Sequence, residues 1–345
     1  MTNLRTLSAI HYGTNIRGQC PDHVVAKTNE NTELKMKYLI TGGAGFIGSN
    51  TAEHLLKEGH QVRILDNFSS GKRDNLARFL NNIELLEGDI RDTGLVGKAV
   101  QGVDYVLHLA AMPSVPKSIA DPLSSNEINV GGTLNVLEAS RRNGVKKFVL
   151  ASSAAIYGDS PELPKRENML PNPLSPYAIQ KLVGEYYCKV FWELYDLPTV
   201  ALRYFNVFGP RQDPQGDYAS VIPKFITVAL ADGKPVVFGD GLQSRDFVYI
   251  QDCVQANILA ATRDTMVGEA FNVAAGKTYT LNELLDALRA VTGKPIQAVY
   301  DAPRPGDIVH SSASVVKLIQ QGYQPSVDLE TGLKRTVEYF GSKRD

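Results

Sequence analysis

The stretch KYLITGGAGFIG, residues 37–48, decides the fold of this chain. Residues 38–40 are consecutive apolar residues of the kinds that favour β-strands. Three glycines follow at Gly42, Gly45 and Gly48, and an apolar helical pattern begins directly after them. A strand, a glycine-rich turn and a helix in this order form the local context of a dinucleotide-binding fingerprint.

Each glycine of the spacing G-x-x-G-x-x-G has a physical task. One allows the tight turn, one lets the backbone approach a pyrophosphate, and one lets the helix pack on the strand. The start of the helix then offers unpaired N–H groups and a partial positive charge to the phosphates. The sequence therefore predicts that this turn binds a dinucleotide.

A second signal favours NAD over NADP. Residues 61–65 (QVRIL) are predicted to form the next strand, and Asp66 ends it, 18 residues after Gly48. An acid at this point accepts hydrogen bonds from the adenosine ribose and repels a 2′-phosphate. The first basic residue after Asp66 is Lys72, so no nearby cation would attract that phosphate.

Composition excludes several classes of function. The chain has 345 residues, 43% of them hydrophobic, and a formal net charge of −1, so the charge gives no reason to expect nucleic acid or an anionic membrane as a partner. No apolar run approaches the roughly 18 residues of a membrane-spanning helix. Cys20, Cys188 and Cys253 are far apart and lack metal-ligand spacing. We expect free thiols, no metal site and a cytoplasmic location.

Strands and helices alternate from residue 37 to about 202, which predicts an α/β fold with a doubly wound, Rossmann-type parallel sheet. The predicted strands are 37–41, 61–66, 83–87, 104–109, 146–151 and 198–203, and the longest predicted helices are 124–142 and 175–195. Residues 36–205 with about 242–263 are assigned to an NAD-binding domain. A smaller mixed α/β domain, 206–241 with about 264–345, would bind the substrate. Residues 1–35 are polar and aperiodic, and we expect a disordered or loosely attached leader.

Two further strand ends supply predicted cofactor positions. Gly88-Asp89-Ile90 follows the third strand and is placed to meet an adenine ring, while the small residues of Leu109-Ala110-Ala111 let a cofactor lie close to the fourth. These predictions depend on the carboxyl ends of parallel strands lying at one edge of the sheet.

A serine, a tyrosine and a lysine are the predicted catalytic residues. Ser153 ends the fifth strand, and Tyr177 and Lys181 lie four residues apart at the start of the next helix, where they share one face. A phenol near pKa 10 would need its pKa lowered by roughly three units to act near neutral pH. A neighbouring ammonium and a cationic nicotinamide both act in that direction. Ser153 would position the same substrate hydroxyl.

The chain resembles the extended short-chain dehydrogenase/reductase family over residues 36–340, and most closely its NAD-dependent UDP-hexose 4-epimerases, in particular the UDP-N-acetylglucosamine branch. The shared motifs are TGGAGFIG (41–48), GDI (88–90), LHLAA (107–111), SVPKS (114–118), LSPYAIQK (174–181), RYFNVFGPRQDP (203–214), SRDFVYI (244–250) and PRPGD (303–307). The resemblance implies that Tyr177 takes the O4 proton while the C4 hydride passes to bound NAD. The 4-keto sugar then turns and receives the hydride on its other face.

Residues and resemblance together predict two sets of contacts. The cofactor set is Gly42, Gly45, Phe46, Ile47, Gly48, Asp66, Asn67, Asp89, Ile90, Leu109, Ala110, Ala111, Asn129, Tyr177, Lys181 and Tyr204. The substrate set is Ser114, Ser153, Asn206, Ser220, Val221, Phe238, Arg245, Arg304, Asp307 and Ser311. Arginine forks match the oxygens of a diphosphate.

The substrate stays open among several alternatives. Sugar-nucleotide dehydratases carry acids where this chain has Ala154 and Ala155, which favours an epimerase. By alignment with the family, Ser311 occupies a gatekeeper position whose small side chain leaves room for an N-acetyl group. UDP-glucuronate remains an alternative because Arg211 or Lys117 could meet a carboxylate. A non-catalytic NAD-binding protein is a further alternative.

The two long predicted helices carry apolar stripes, which include Leu137 on the first and Tyr186 and Phe191 on the second. Part of each stripe belongs to the core. In the family that the chain resembles, the same helices form a four-helix dimer interface, so the resemblance implies a homodimer.

Overall fold

The computed structural model describes residues 35–215, 220–303 and 309–342. The leader up to residue 34, Cys20, Arg304 and Asp307 lie outside the described residues. The other predicted site residues lie within them.

The described residues contain strands that form three sheets. The strands are β1 (Lys37–Thr41), β2 (Gln61–Asp66), β3 (Ile83–Glu87), β4 (Tyr105–His108), β5 (Lys147–Ser153), β6 (Thr199–Tyr204), β7 (Asn206–Phe208), β8 (Val236–Phe238), β9 (Ser244–Tyr249), β10 (Ala270–Val273), β11 (Thr278–Thr280) and β12 (Val299–Asp301). The helices are α1 (Phe46–Lys57), α2 (Thr93–Val100), α3 (Val115–Ala120), α4 (Pro122–Asn126), α5 (Thr133–Arg142), α6 (Pro176–Tyr195), α7 (Val221–Leu230), α8 (Ile250–Thr262), α9 (Leu281–Thr292), α10 (Val316–Ile319) and α11 (Leu329–Gly341).

A seven-stranded parallel sheet is the centre of the molecule, with the order β10-β6-β5-β4-β1-β2-β3. Helices α1 and α8 pack together on one side, and α2, α5 and α6 pack on the other. The predicted Rossmann-type α/β fold is confirmed. Because all seven strands are parallel, β1, β2, β4 and β5 end at one edge, which brings the glycine turn, Asp66, residues 109–111 and Ser153 to that edge.

Two strands of the C-terminal half pair with different neighbours from those that the sequence suggests. In the segment 242–263, which is assigned to the NAD-binding domain, helix α8 packs on the central sheet, but β9 pairs with β7 and β11 in a separate three-stranded sheet. The seventh strand of the central sheet is β10, which lies in a segment that the sequence assigned to the substrate-binding part. The strand β10 therefore belongs to the same sheet as the glycine turn, although the sequence assigns its residues to the substrate-binding domain.

The predicted helix 124–142 is interrupted. A π-helical turn, Glu127–Gly132, separates α4 from α5. The turn is closely packed, since a Cβ on Gly132 would lie 2.4 Å from Cδ1 of Ile90. A π-turn inside an α-helix frequently marks a functional site.

The loop after β7 is fastened to α1. The Asn50 side chain donates to the carbonyl of Pro210 at 3.1 Å, and Arg211 donates to the carbonyl of Ser49 at 2.9 Å and pairs with Glu53. Two residues further on, Asp213 pairs with Lys72 at 3.0 Å. This loop therefore lies across the same helix whose N-terminus forms the glycine turn.

Within the part of the chain that the structure describes, no helix is long and apolar enough to span a membrane.

Candidate active site

The glycine turn leaves no room for side chains. Gly42 has a φ of +70°, and a Cβ on Gly48 would lie only 2.4 Å from the carbonyl oxygen of Gly42. Helix α1 begins at Phe46, and its N-cap is Gly45, which has no side chain to cap it. The N–H groups of the first turn, including those of Phe46 and Ile47, are thus left for an anion. The glycine turn and the start of α1 therefore fit the pyrophosphate of NAD.

Asp66 is positioned by the same turn. Its side chain is 7% exposed, and its carboxylate accepts the N–H of Ala44 at 2.8 Å and the N–H of Phe68 at 2.8 Å. Burial raises the pKa of Asp66, and the two backbone hydrogen bonds oppose that rise. Each carboxylate oxygen keeps a lone pair, so Asp66 can still accept ribose hydroxyls.

Asp89 lies beside Asn67, and both are predicted cofactor contacts. The Asn67 amide donates to the Asp89 carboxylate at 2.8 Å. Arg91 also donates to both oxygens of Asp89 at 2.9 Å, and this contact is the main reason why the pKa of Asp89 falls to about 2. Arg91 is a member of this cluster that sequence reasoning missed.

Asn129 supports the cofactor side indirectly. Its side chain is 4% exposed, accepts the N–H of Met112 at 2.7 Å and donates to Gln180 at 2.7 Å. Asn129 therefore fixes the loop that follows Ala111. Gln180, which sequence reasoning missed, joins the π-turn to α6.

Tyr204, a predicted cofactor contact, is the last residue of β6. Its hydroxyl donates to Asn257 of α8, in the core between α8 and the central sheet.

Ser153, Tyr177 and Lys181 come together as predicted. Ser153 is the last residue of β5, and Tyr177 lies in the first turn of α6, beside the Ser153 side chain. The Lys181 ammonium donates to the carbonyl of Ala151 at 2.7 Å and lies 5.8 Å from the centre of the Tyr177 ring. A hydroxyl, a phenol and an amine thus share the edge where β5 meets α6.

The pKa of Tyr177 is raised in this structure, not lowered. Burial is the larger cause, and the hydrogen bond from Ser153 acts in the opposite direction. Burial also lowers the pKa of Lys181 to about 8. The expected ammonium effect is weak here because Lys181 points at a backbone carbonyl, so formation of phenolate needs a further positive charge nearby.

Two serines hold the start of α6. The Ser175 side chain caps the helix by accepting the N–H of Ala178 at 3.2 Å. Ser118, which is fully buried, accepts the N–H of Tyr177 at 3.1 Å. Ser118 was not predicted, although it is the last residue of the SVPKS motif.

A cavity of about 230 Å³ collects predicted substrate contacts. The predicted residues that line it are Asn206, Ser220, Val221, Phe238 and Arg245. Lys224 and Gln243 also line it and were not predicted. Basic and amide groups around an apolar wall suit a nucleotide with its phosphates.

The other three described substrate positions lie outside this lining, and one of them is Ser153, which is placed beside Tyr177. Ser311 donates its N–H to the carbonyl of Ser244 at 3.0 Å, directly before Arg245, so it lies beside the cavity wall. Ser114 caps α3 by accepting the N–H of Lys117 at 3.2 Å.

Arg211 is not part of the cavity lining. Its side chain is 8% exposed and is paired with Glu53 of α1. Lys117 is exposed on α3.

A larger, open groove of about 960 Å³ runs along α6 and β10 and contains none of the predicted site residues. In the described ranges, no group of three or more His, Cys, Asp or Glu side chains is placed to hold a metal ion.

Comparisons with known proteins agree with this geometry. The profile of the NAD dependent epimerase/dehydratase family matches residues 38–274. A putative UDP-glucose 4-epimerase of Methanocaldococcus jannaschii is 41% identical over 304 residues, which is 88% of this chain and 97% of that protein.

Solved structures of epimerases are also similar to this chain over most of its length. A UDP-N-acetylglucosamine 4-epimerase from Methanobrevibacter ruminantium, in complex with UDP-N-acetylmuramic acid, is 43% identical with a TM-score of 0.86 and covers 90% of this chain and 99% of its own. A Thermus thermophilus UDP-glucose 4-epimerase in complex with NAD is 39% identical with a TM-score of 0.81 and covers 88% of this chain and 99% of its own. The chain is an enzyme that belongs to the NAD-dependent epimerase/dehydratase family.

Proposed function

We propose that this enzyme is a UDP-sugar 4-epimerase that interconverts UDP-N-acetylglucosamine and UDP-N-acetylgalactosamine, with UDP-glucose and UDP-galactose as further substrates. The observation that carries this proposal is the meeting of Ser153, Tyr177 and Lys181 where β5 ends and α6 begins. Ala154 and Ala155 follow Ser153, so the turn next to the reacting hydroxyl holds no acid that could assist elimination.

The chain's own residues handle the proton of the sugar's O4 hydroxyl. Ser153 orients that hydroxyl, and Tyr177 takes its proton and later returns it. When bound, NAD supplies the acceptor for the C4 hydride and a positive charge that favours the Tyr177 phenolate. Lys181 holds its ammonium next to the phenol while it is fixed to the carbonyl of Ala151.

Two residues support an N-acetylated substrate over a uronic acid. Ser311 offers a small side chain beside the cavity wall, which leaves space for a C2 substituent. Arg211 is engaged with Glu53, so the cation that could have met a carboxylate is used elsewhere. UDP-glucuronate stays the second candidate because Lys117 is exposed.

We also propose a homodimer through a four-helix bundle of α4–α5 and α6 from each subunit. Leu137 and Phe191 are buried in the subunit core, whereas Leu123, Ile179 and Leu194 are 78%, 50% and 69% exposed. Tyr186 of the predicted stripe is also exposed, at 56%. Large apolar side chains with this exposure favour a partner surface.

The test is incubation of the purified protein with UDP-N-acetylglucosamine, without added NAD, followed by separation of the UDP-sugars. Appearance of the galacto epimer is expected. Conversion of UDP-glucuronate or UDP-glucose alone would overturn the substrate proposal. No conversion of any of the three by protein that contains NAD would overturn the epimerase proposal.

A further inference from the structure

A buried ion pair lies directly behind the catalytic residues. Tyr177, Lys181 and Glu185 occupy every fourth position of α6 and so share the face that packs on β5 and β6. Glu185 is 9% exposed, and its partner Arg203 on β6 is 5% exposed. The two form a bidentate pair, with distances of 2.7 Å from Nη2 to Oε2 and 2.9 Å from Nε to Oε1.

The pair is connected to the strand that carries Ser153. The hydroxyl of Ser152, 3% exposed, donates to Oε1 of Glu185 at 2.5 Å. Ser152 lies opposite Arg203 in the register of β5 and β6, and Ser153 is the next residue. Glu185 therefore joins the strand of Ser153 to the helix of Tyr177.

The pair also holds the chain after Ser153. Arg203 donates through Nη1 to the hydroxyl of Tyr157 at 2.8 Å, and Tyr157 belongs to the single helical turn Ala154–Tyr157 that follows β5. The same nitrogen donates to the carbonyl of Glu167 at 3.1 Å. Ser153 is thus fixed on both sides by groups that contact one ion pair.

Stability alone does not explain such a pair. Removing two charges from water costs about as much as their attraction returns, and apolar residues of similar volume are often as stable. What a bidentate pair adds is a defined distance and angle between the elements that carry it. Here those elements are the ones that carry the reacting hydroxyl groups.

We propose that Arg203 and Glu185, acting through Ser152, are positioning residues that hold Ser153 beside Tyr177 and thereby determine kcat. This inference deepens the 4-epimerase activity proposed above and rests on it. The described contacts connect the ion pair to Ser153 and Tyr177 only through Ser152, the turn after β5 and helix α6. Losing it should impair turnover and leave the affinity for UDP-sugar almost unchanged.

The sharpest variant is Ser152→Ala, because it removes the connection to β5 and leaves the ion pair in place. Its matched control is Ser140→Ala, since the fully buried Ser140 hydroxyl donates at 2.7 Å to the carbonyl of Val136 in its own helix, α5. Both variants lose one buried serine hydroxyl. We expect kcat to fall about tenfold or more in Ser152→Ala with KM within about twofold, since small misplacements of reacting groups are costly. Ser140→Ala should keep the wild-type kcat.

The pH profile gives a readout that a purely structural role would not change. The hydrogen bond from Ser153 lowers the pKa of Tyr177, so loosening it should raise that pKa. The acid limb of kcat/KM should then move upward by about half a pH unit in Ser152→Ala, given the net worth of one hydrogen bond. Lys181 on α6 is the titratable neighbour of Tyr177, and His108 on β4, whose pKa burial lowers to about 3, interacts electrostatically with Lys181.

The outcomes separate the two proposals. A wild-type protein that contains NAD and turns over none of the UDP-sugars would overturn the proposed function. A wild-type protein that is active, with Ser152→Ala equal to Ser140→Ala in kcat and in the position of the acid limb, would overturn only the positioning role. A loss of activity that matches a loss of folded protein, measured by thermal unfolding, would also count against it.

Discussion

At the scale of single residues, Tyr177 separates an enzyme from a protein that only binds NAD. Tyr177→Phe keeps the ring and removes the proton acceptor. Positioned proton transfer contributes about 10²–10⁴-fold, so we expect turnover to fall by at least two orders of magnitude. Retention of NAD, measured after denaturing release, should stay at the wild-type level. Unchanged turnover would assign the proton transfer to another group.

Ser311 controls selectivity at the same scale. Ser311→Tyr should lower kcat/KM for UDP-N-acetylglucosamine about tenfold or more relative to UDP-glucose, because the phenol fills the space proposed for the acetamido group. The measurement is the ratio of kcat/KM for the two substrates. Ser312→Tyr, one residue further, is the control. An unchanged ratio in Ser311→Tyr would remove Ser311 from the substrate site.

Some site residues could be predicted by sequence reasoning and others could not. It found Ser153, Tyr177 and Lys181 because each follows a recognisable strand end or helix start. It could not find the pair of Arg203 and Glu185, because nothing in the sequence shows which buried charges meet across a strand and a helix. The raised pKa of Tyr177 was missed for the same reason, since burial depends on the packed structure.

At the scale of elements, the turn between β1 and α1 permits a matched glycine test. In Gly48→Ala the new Cβ would meet the backbone oxygen of Gly42 at 2.4 Å, so the turn must shift. In Gly97→Ala, inside α2, the new Cβ has nothing within 4 Å outside its own helix. We expect Gly48→Ala to lose about 1–3 kcal/mol of unfolding free energy and most of its NAD. Gly97→Ala should gain about 0.5–1 kcal/mol and keep its NAD.

Thermal unfolding and NAD content of the two purified variants provide the measurement. If Gly48→Ala keeps stoichiometric NAD, the tight turn is not what forms the pyrophosphate site.

Elements were predictable where their patterns were long. The six predicted strands appear within two residues of their expected ends, because each is an apolar run next to a glycine, an acid or a turn. The strand β10 was missed as part of the central sheet, since four residues in a region of short strands do not reveal their partner. The π-turn was missed because one additional residue per turn barely disturbs a helical pattern.

At the scale of the whole molecule, the proposed dimer can be tested by placing a charged residue in its interface. Ile179→Glu would place a carboxylate in the apolar seam of α6, where burial against a partner leaves it unpaired. Light scattering after size exclusion should show a dimer for the wild type and a monomer for Ile179→Glu. Leu242→Glu is the control, because Leu242 is similarly exposed, at 58%, but lies in the loop before β9. A wild-type monomer at micromolar concentration would contradict the dimer.

Because the loop after β7 is bonded to α1, the binding of NAD and the binding of a UDP-sugar should affect each other. The segment contacts α1 through Asn50, Ser49 and Glu53. Its residue Gln212 donates to the hydroxyl of Ser220 at 3.1 Å, and Ser220 lines the nucleotide cavity. Occupation of the cavity and occupation of the glycine turn therefore restrain one continuous piece of backbone. A coupling of this kind is reciprocal at equilibrium, so each ligand must strengthen the binding of the other by the same free energy. Dilution of the NAD-loaded protein with and without UDP should show slower release of NAD when UDP is present, and Arg211→Met should reduce the difference.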